Sequence, residues 1–132
     1  MMEPLVSLGL RSAERVFAPG ALLAGEMQVD AVDPRELKAV ELSVLWYTEG
    51  KGDEDLGIHF FERRQAEGDG PPVLHTLHPF ESTLPASPLS YDGTIVKVRW
   101  CVRVRLFFCQ DREHVEDFPF RLAAAQGQLV EP

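Results

Sequence analysis

The sequence predicts an all-β protein of about seven or eight strands, arranged as a sandwich or a barrel. Apolar and polar residues alternate along most of the chain, which is the period of half-buried strands. Clusters of glycine, proline and aspartate interrupt these runs at short intervals. No stretch has the apolar spacing of an amphipathic helix. Together these observations favour a protein built almost entirely from strands.

The first half of the chain contains four alternating runs separated by turns. The turns lie at Pro19-Gly20, at residues 32–36 and in the polar, glycine-rich stretch 49–55. Residues 33–45 also contain good helix formers, but the strict alternation into Trp46 and Tyr47 favours a strand. The four predicted strands cover residues 6–10, 23–31, 40–49 and 56–60.

The second half contains three further runs, at residues 74–82, 94–108 and 118–122. In the last of these, Pro119 indicates an edge strand or a bulge, because proline cannot donate a hydrogen bond to a neighbouring strand. We expect one domain over residues 1–123 and a loose tail over residues 124–132.

The run at 94–108 has the clearest pattern of the chain. One face is apolar, and the other carries four basic residues in line. The apolar face holds Val96, Val98, Trp100, Val102, Val104 and Leu106, and the opposite face holds Lys97, Arg99, Cys101, Arg103 and Arg105. We expect Trp46 and Trp100 to lie in the core, between two sheets that are about 10 Å apart.

Composition narrows the class of protein. The 132 residues are 45% hydrophobic and 26% charged, as in a globular domain. The net charge of −8 disfavours nucleic-acid binding, because phosphate neutralisation dominates that affinity. No apolar run approaches the roughly 20 residues of a membrane span, and no signal peptide is recognisable, so we expect a cytoplasmic protein without a transmembrane segment.

Two cysteines, Cys101 and Cys109, fall in the same predicted strand. Eight residues of extended chain span roughly 26 Å, whereas a disulfide needs Cα atoms within about 7 Å. We therefore expect both thiols to be reduced and structural, as is usual in the cytoplasm.

Three features resemble the arrestin fold family. Phe17-Ala18-Pro19-Gly20, followed by Gly25, is similar to the family's aromatic-x-Pro-Gly-x-x-x-x-Gly pattern. Phe80, Leu84-Pro85 and Ser90-Tyr91-Asp92-Gly93, followed by the long strand, resemble a second family segment. The order and spacing of strands over residues 5–122 is the third feature.

The resemblance implies an immunoglobulin-like antiparallel β-sandwich. The family includes arrestins, the retromer's arrestin-like subunit and bacterial sporulation-control proteins, and its members characteristically act as adaptors and scaffolds. Arrestins contain two such sandwiches in tandem, whereas this sequence has the length of one. No functional residues are therefore carried over from the family.

Lys97, Arg99, Arg103 and Arg105 are the candidate protein-interaction residues. Like charges on one strand face repel each other unless acids lie opposite. The strand at 40–49 offers Glu41 and Glu49 on its outward face, so one interpretation is a solvated sheet face with cross-strand ion pairs. The other is a docking surface for an acidic or phosphorylated segment, because guanidinium groups bind carboxylates and phosphates well.

Other residues could carry chemistry, but none forms a recognised catalytic or metal-binding motif. The acidic loop of Glu49, Asp53, Glu54 and Asp55 could hold a hard cation, although it lacks the EF-hand spacing and is typical of a solvated hairpin tip. The histidines at 59, 75, 78 and 114 are scattered without zinc-site spacing, and no Gly-x-Ser-x-Gly elbow occurs. We predict no catalytic residue, no metal and no cofactor.

We therefore predict a non-enzymatic adaptor or scaffold that binds a protein partner through an edge strand or through the basic residues of strand 94–108. A homodimer remains open, because a single sandwich can expose a face or an edge that needs cover. The alternative from another class is a small-ligand- or metal-dependent enzyme that uses the scattered histidines and acids.

Overall fold

The computed structural model describes residues 4–12, 15–30, 35–52, 54–65 and 78–124. The described residues form nine strands and one short 3-10 turn, which confirms the all-β prediction. The elements are β1 (Leu5–Leu10), β2 (Val16–Phe17), β3 (Leu22–Asp30), β4 (Leu37–Gly50), β5 (Leu56–Gln65), β6 (His78–Thr83), β7 (Tyr91–Asp92), β8 (Val96–Phe108), the 3-10 turn Cys109–Asp111, and β9 (Glu113–Leu122).

The strands make two sheets. The smaller sheet has the order β1-β3-β6, and both of its pairings are antiparallel. The larger sheet has the order β2-β9-β8-β4-β5, with β7 also paired to β8. All of its pairings are antiparallel except the short parallel contact between β2 and β9. The long strands β4 and β8 lie side by side, so the predicted neighbour relation between them is confirmed.

The core lies between the two sheets and is built from alternate residues of their strands. Along β8, Trp100, Val102, Val104 and Leu106 are at most 1% exposed, as their alternation predicts. Each buried aliphatic side chain contributes about 1.5–3 kcal/mol relative to an exposed one. The smaller sheet contributes Val6, Leu8, Leu23, Met27, Val29 and Phe80 to the same cluster.

The two sequence segments that resemble the arrestin family touch each other. The Pro19-Gly20 turn has Gly20 at φ +81°, in the left-handed region that glycine adopts without strain. The Gly20 amide donates to the Leu84 carbonyl at 3.1 Å, and the Leu84 amide donates to the Ala21 carbonyl at 2.9 Å. Gly25 permits a close approach, because an added Cβ would overlap the carbonyl group of Gly9 in β1.

Two details differ from the sequence predictions. Trp46 is only partly buried, because its side chain lies over Gly57 of β5 at the border of the sheet, whereas its register partner Trp100 is fully buried between β4 and β9. The last strand begins at Glu113 rather than at residue 118. Its first inward residues, His114 and Glu116, are polar, so apolar alternation does not mark them.

Two predictions reach beyond the described residues. The strand predicted over 74–82 is described from His78 onward, where it forms β6. The tail predicted over residues 124–132 lies outside the described part of the chain apart from Ala124.

Pro119 lies in β9, and only Arg121 and Leu122 of that strand pair with β2, so Pro119 occupies an outer strand as predicted.

Candidate protein-interaction surface

The four basic residues of β8 share the outer face of the larger sheet, and we call them the basic face: Lys97, Arg99, Arg103 and Arg105. Strand β4 lies beside them on one flank and β9 on the other. Glu49 of β4 is opposite Lys97, and Glu41 is opposite Arg105, as the alternation of β4 predicts. The structure thus brings the acids of β4 next to the basic face.

Arg103 is held by Asp117 of β9 rather than by an acid of β4. Its Nε donates to Asp117 Oδ1 at 2.8 Å, and its Nη2 donates to Asp117 Oδ2 at 3.1 Å. Two parallel charge-assisted hydrogen bonds fix the guanidinium plane. The hydrogen bond to Asp117 also raises the pKa of Arg103, and burial opposes that rise. Arg103 is therefore held within the protein by its ion pair with Asp117.

Two buried residues lie on the outer face near the pair, although one interpretation of the sequence is a solvated face. Cys101 is 1% exposed and Leu45 is 2% exposed, although both point away from the core between the sheets. Burial raises the pKa of the Cys101 thiol to about 12, and the nearby Asp117 carboxylate adds to the rise. Cys101 and Cys109 are both free, in agreement with the predicted reduced state.

Arg105 is bound more loosely. Its Nε lies 3.7 Å from Glu113 Oε1 and has no hydrogen-bond partner among the described residues. Glu41, which is opposite Arg105 in the register, instead accepts a hydrogen bond from Arg63 of β5. Arg63 in turn stacks on the ring of Phe107, 5.1 Å from its centroid. The acid predicted for Arg105 is therefore used by another arginine.

The other end of the basic face is more open. Arg99 donates to Glu49 at 3.4 Å and lies 3.7 Å from Asp92 of β7. Asp92 is bound more closely by Arg121, whose Nη1 donates to Asp92 Oδ2 at 2.9 Å. That hydrogen bond is the main cause of the lowered pKa of Asp92. Within the described ranges, Lys97 has no ion-pair partner.

A pocket of about 360 Å³ opens at this end, where the partner of β8 changes from β7 to β9. Three arginines contribute to it: Arg15, Arg99 and Arg121. Among the described residues, Arg15 makes no side-chain hydrogen bond or ion pair. The rest of the lining combines one hydroxyl with apolar groups, from Val16, Ser90, Val98, Trp100, Pro119 and Phe120. The arrangement suits an anionic group with an apolar neighbour.

Sequence reasoning missed the residues that complete this end. The Ser90-Tyr91-Asp92-Gly93 segment leads into β8, where the Gly93 amide donates to the Val96 carbonyl at 3.0 Å. The same segment also joins β9, since the Ser90 amide donates to the Leu122 carbonyl and Ser90 Oγ accepts from the Leu122 amide. No local pattern indicates Arg15 or Arg121, because their proximity depends on how distant strands pair.

The histidines predicted for the enzymatic alternative are dispersed. His59 bonds the Thr83 carbonyl of the smaller sheet, His78 bonds Arg64, and His114 lies 3.7 Å from Glu116. His75 and Asp53 lie outside the described residues. Across the part of the chain that the structure describes, no three histidine, cysteine or acidic residues are grouped so as to hold a metal ion.

Comparison with solved structures identifies the architecture. The chain superposes on the sporulation control protein Spo0M of Bacillus subtilis with a TM-score of 0.67 at 15% sequence identity. The fold is arrestin-like. The arrestin-like sandwich aligns over 95% of this chain and 51% of the Spo0M chain, so it spans about half the length of that protein.

At this level of identity, the arrestin-like likeness concerns the fold alone. No protein-family model and no curated protein sequence matches the chain. Within the described ranges, no helix has both the length and the apolar character needed to cross a bilayer.

Proposed function

We propose that the protein is a non-enzymatic adaptor that acts in the cytoplasm and docks an acidic segment of a partner protein on the open end of the basic face. The arrestin-like fold and the two free cysteines are consistent with this role and location. The single observation that carries the proposal is that the protein's own acids hold the four basic residues unequally. Arg103 makes two short hydrogen bonds to Asp117, whereas Arg99 makes only contacts of 3.4 and 3.7 Å and Lys97 forms no ion pair with the described residues.

We call the end that contains Arg103 and Arg105 the closed end: Asp117 of β9 holds Arg103 through two hydrogen bonds, and Arg105 lies 3.7 Å from Glu113 of the same strand. At the open end, Lys97 is exposed and forms no ion pair with the described residues, and Arg99 lines the pocket with two other arginines. Carboxylates or phosphates of a partner would replace long internal contacts with shorter ones there, since the Arg99 ion pairs measure 3.4 and 3.7 Å.

The test replaces the open end and leaves the closed end intact. Lys97→Glu together with Arg99→Glu should abolish binding of a glutamate-rich peptide and weaken capture of the natural partner from native lysate. The control is Lys38→Glu, which makes the same kind of charge reversal at one exposed site outside the basic face. A thermal melt first establishes that each variant is folded.

Peptide binding should also fall as salt is added, because exposed charges are screened. Equal binding by the wild-type protein and the double variant would overturn the proposal. So would an equal loss with Lys38→Glu, because that result would indicate a general charge effect rather than a defined surface.

A further inference from the structure

Strand β5 is an edge strand that contains no proline to prevent pairing with another chain. It borders the larger sheet beside β4, and no other described strand pairs with it. It is ten residues long and contains no proline, whereas the outer strands β6 and β9 contain Pro79 and Pro119. A long edge without proline presents unpaired amides and carbonyls to another chain.

The same strand carries exposed apolar side chains on one face. Leu56, Ile58 and Phe61 are 54%, 57% and 50% exposed. They share the outer face because of a bulge at His59, which has no partner in β4 and shifts the β4–β5 register by one residue between Val44 and Leu45. His59, by contrast, points inward, where its ring lies 6.3 Å from that of Trp100.

We propose that β5 pairs antiparallel with β5 of a second copy, so that the two larger sheets form one continuous sheet. The register follows from the requirement that outward residues of one copy lie opposite outward residues of the other. With Ile58 opposite Phe61 of the other copy, every outward residue faces an outward one, and Gly57 faces Glu62. Shifting the pairing by one or two residues either way sets inward residues against outward ones at the strand centre. The bulge lies next to the two-fold axis in both copies, so the strands bend together.

Charge independently supports this occupant. The chain is acidic just before the first residue of β5, with Glu54 and Asp55, and the end of β5 is basic, with Arg63 and Arg64. In the proposed register Asp55 of one copy lies opposite Arg64 of the other, and the two-fold axis creates this pair twice. Two copies of a chain with net charge −8 would otherwise repel each other, so local complementarity favours the second copy specifically.

The first experiment measures oligomeric state by sedimentation velocity over a range of protein concentrations. We expect a dimer for the wild-type chain and about a hundredfold weaker association for Ile58→Lys, which places a charge in the apolar centre of the interface. The matched control is Leu22→Lys, a residue of similar exposure (52%) in the other sheet, which should stay dimeric. A monomeric wild-type chain, or an Ile58→Lys dimer, overturns the proposal.

The second experiment tests the register by charge exchange. Asp55→Arg and Arg64→Asp should each dimerise about tenfold more weakly, because each homodimer then opposes like charges twice. Mixing the two variants should restore wild-type affinity, since each of the two 55–64 pairs in the mixed dimer again joins one acidic and one basic side chain. Failure of the mixture to associate overturns the proposed register. Circular dichroism establishes that Arg64→Asp, which loses its contacts with His78 and Glu62, remains folded.

This inference goes beyond the proposed function, because self-association is measured without any partner protein. Substitutions at Lys97 and Arg99 leave β5 untouched, and Ile58→Lys leaves the basic face untouched. Failure of one proposal is therefore visible separately from failure of the other.

Discussion

The Arg103–Asp117 pair should stabilise the fold measurably, whereas the Arg99–Glu49 pair should not. Arg103 makes two hydrogen bonds of 2.8 and 3.1 Å, and the two side chains are 22% and 37% exposed. Arg99 makes one contact of 3.4 Å to Glu49, with side chains 38% and 48% exposed. Shorter, bidentate and less hydrated pairs interact more strongly.

The perturbation is a double-mutant cycle on each pair, with each residue changed to alanine singly and together. Exposed pairs contribute about 0–1 kcal/mol. We expect a coupling energy of about 1 kcal/mol between Arg103 and Asp117, at the top of that range, and below about 0.3 kcal/mol between Arg99 and Glu49. Arg103→Ala should cost somewhat more than the coupling alone, because it also uncovers Cys101.

The assay is urea unfolding followed by tryptophan fluorescence, with the free energy of unfolding taken from the midpoint and slope. All variants are compared at one protein concentration, because self-association would add to the apparent stability. Equal coupling in the two cycles, or a larger value for Arg99 and Glu49, would refute the division of the basic face into a closed and an open end.

Three further predictions concern packing and the thiols. Gly25→Ala should destabilise the protein by about 3 kcal/mol. The added Cβ would lie 3.2 Å from both the Gly9 carbonyl carbon and Leu10 Cα, and closer still to the Gly9 oxygen. The control Gly9→Ala meets nothing within 4 Å, so its melting temperature should be nearly unchanged. A thiol reagent at pH 8 should label Cys109 first and leave Cys101 protected, because burial raises the Cys101 pKa to about 12. Since the ordinary pKa of a cysteine thiol, 9.0, applies to the unfolded chain, stability should decline as the pH rises from that value toward about 12. Rapid native labelling of both thiols, or equal melting of the two glycine variants, would contradict these accounts.

Some of the candidate surface was predictable because it depends only on local alternation. Successive residues of a strand point to opposite faces, so the sequence of β8 separates Arg99 and Arg103 from Trp100 and Val102 without any knowledge of neighbouring strands. The same rule identified Glu41 and Glu49 on the outward face of β4.

The partners of the arginines were not predictable from that alternation. Arg103 binds Asp117 because β9 lies beside β8 in a register that pairs these two residues. Asp92 binds Arg121, 29 positions away along the chain, because β7 and β9 flank the same strand. Strand order and register are set by the packing of the whole sheet, so local sequence leaves several acids as equivalent candidates.

The sequence by itself determined the all-β class, the division of each long strand into an inward and an outward face, and the Pro19-Gly20 turn, since each of these depends on residues close together in the chain. Only the tertiary structure decided that β5 is an edge strand and that a bulge at His59 turns Ile58 and Phe61 to one side. A bulge reflects how two paired strands fit each other, and an edge is defined by the strand that is missing beside it. Neither property resides in one segment, so neither can be obtained from its residues alone.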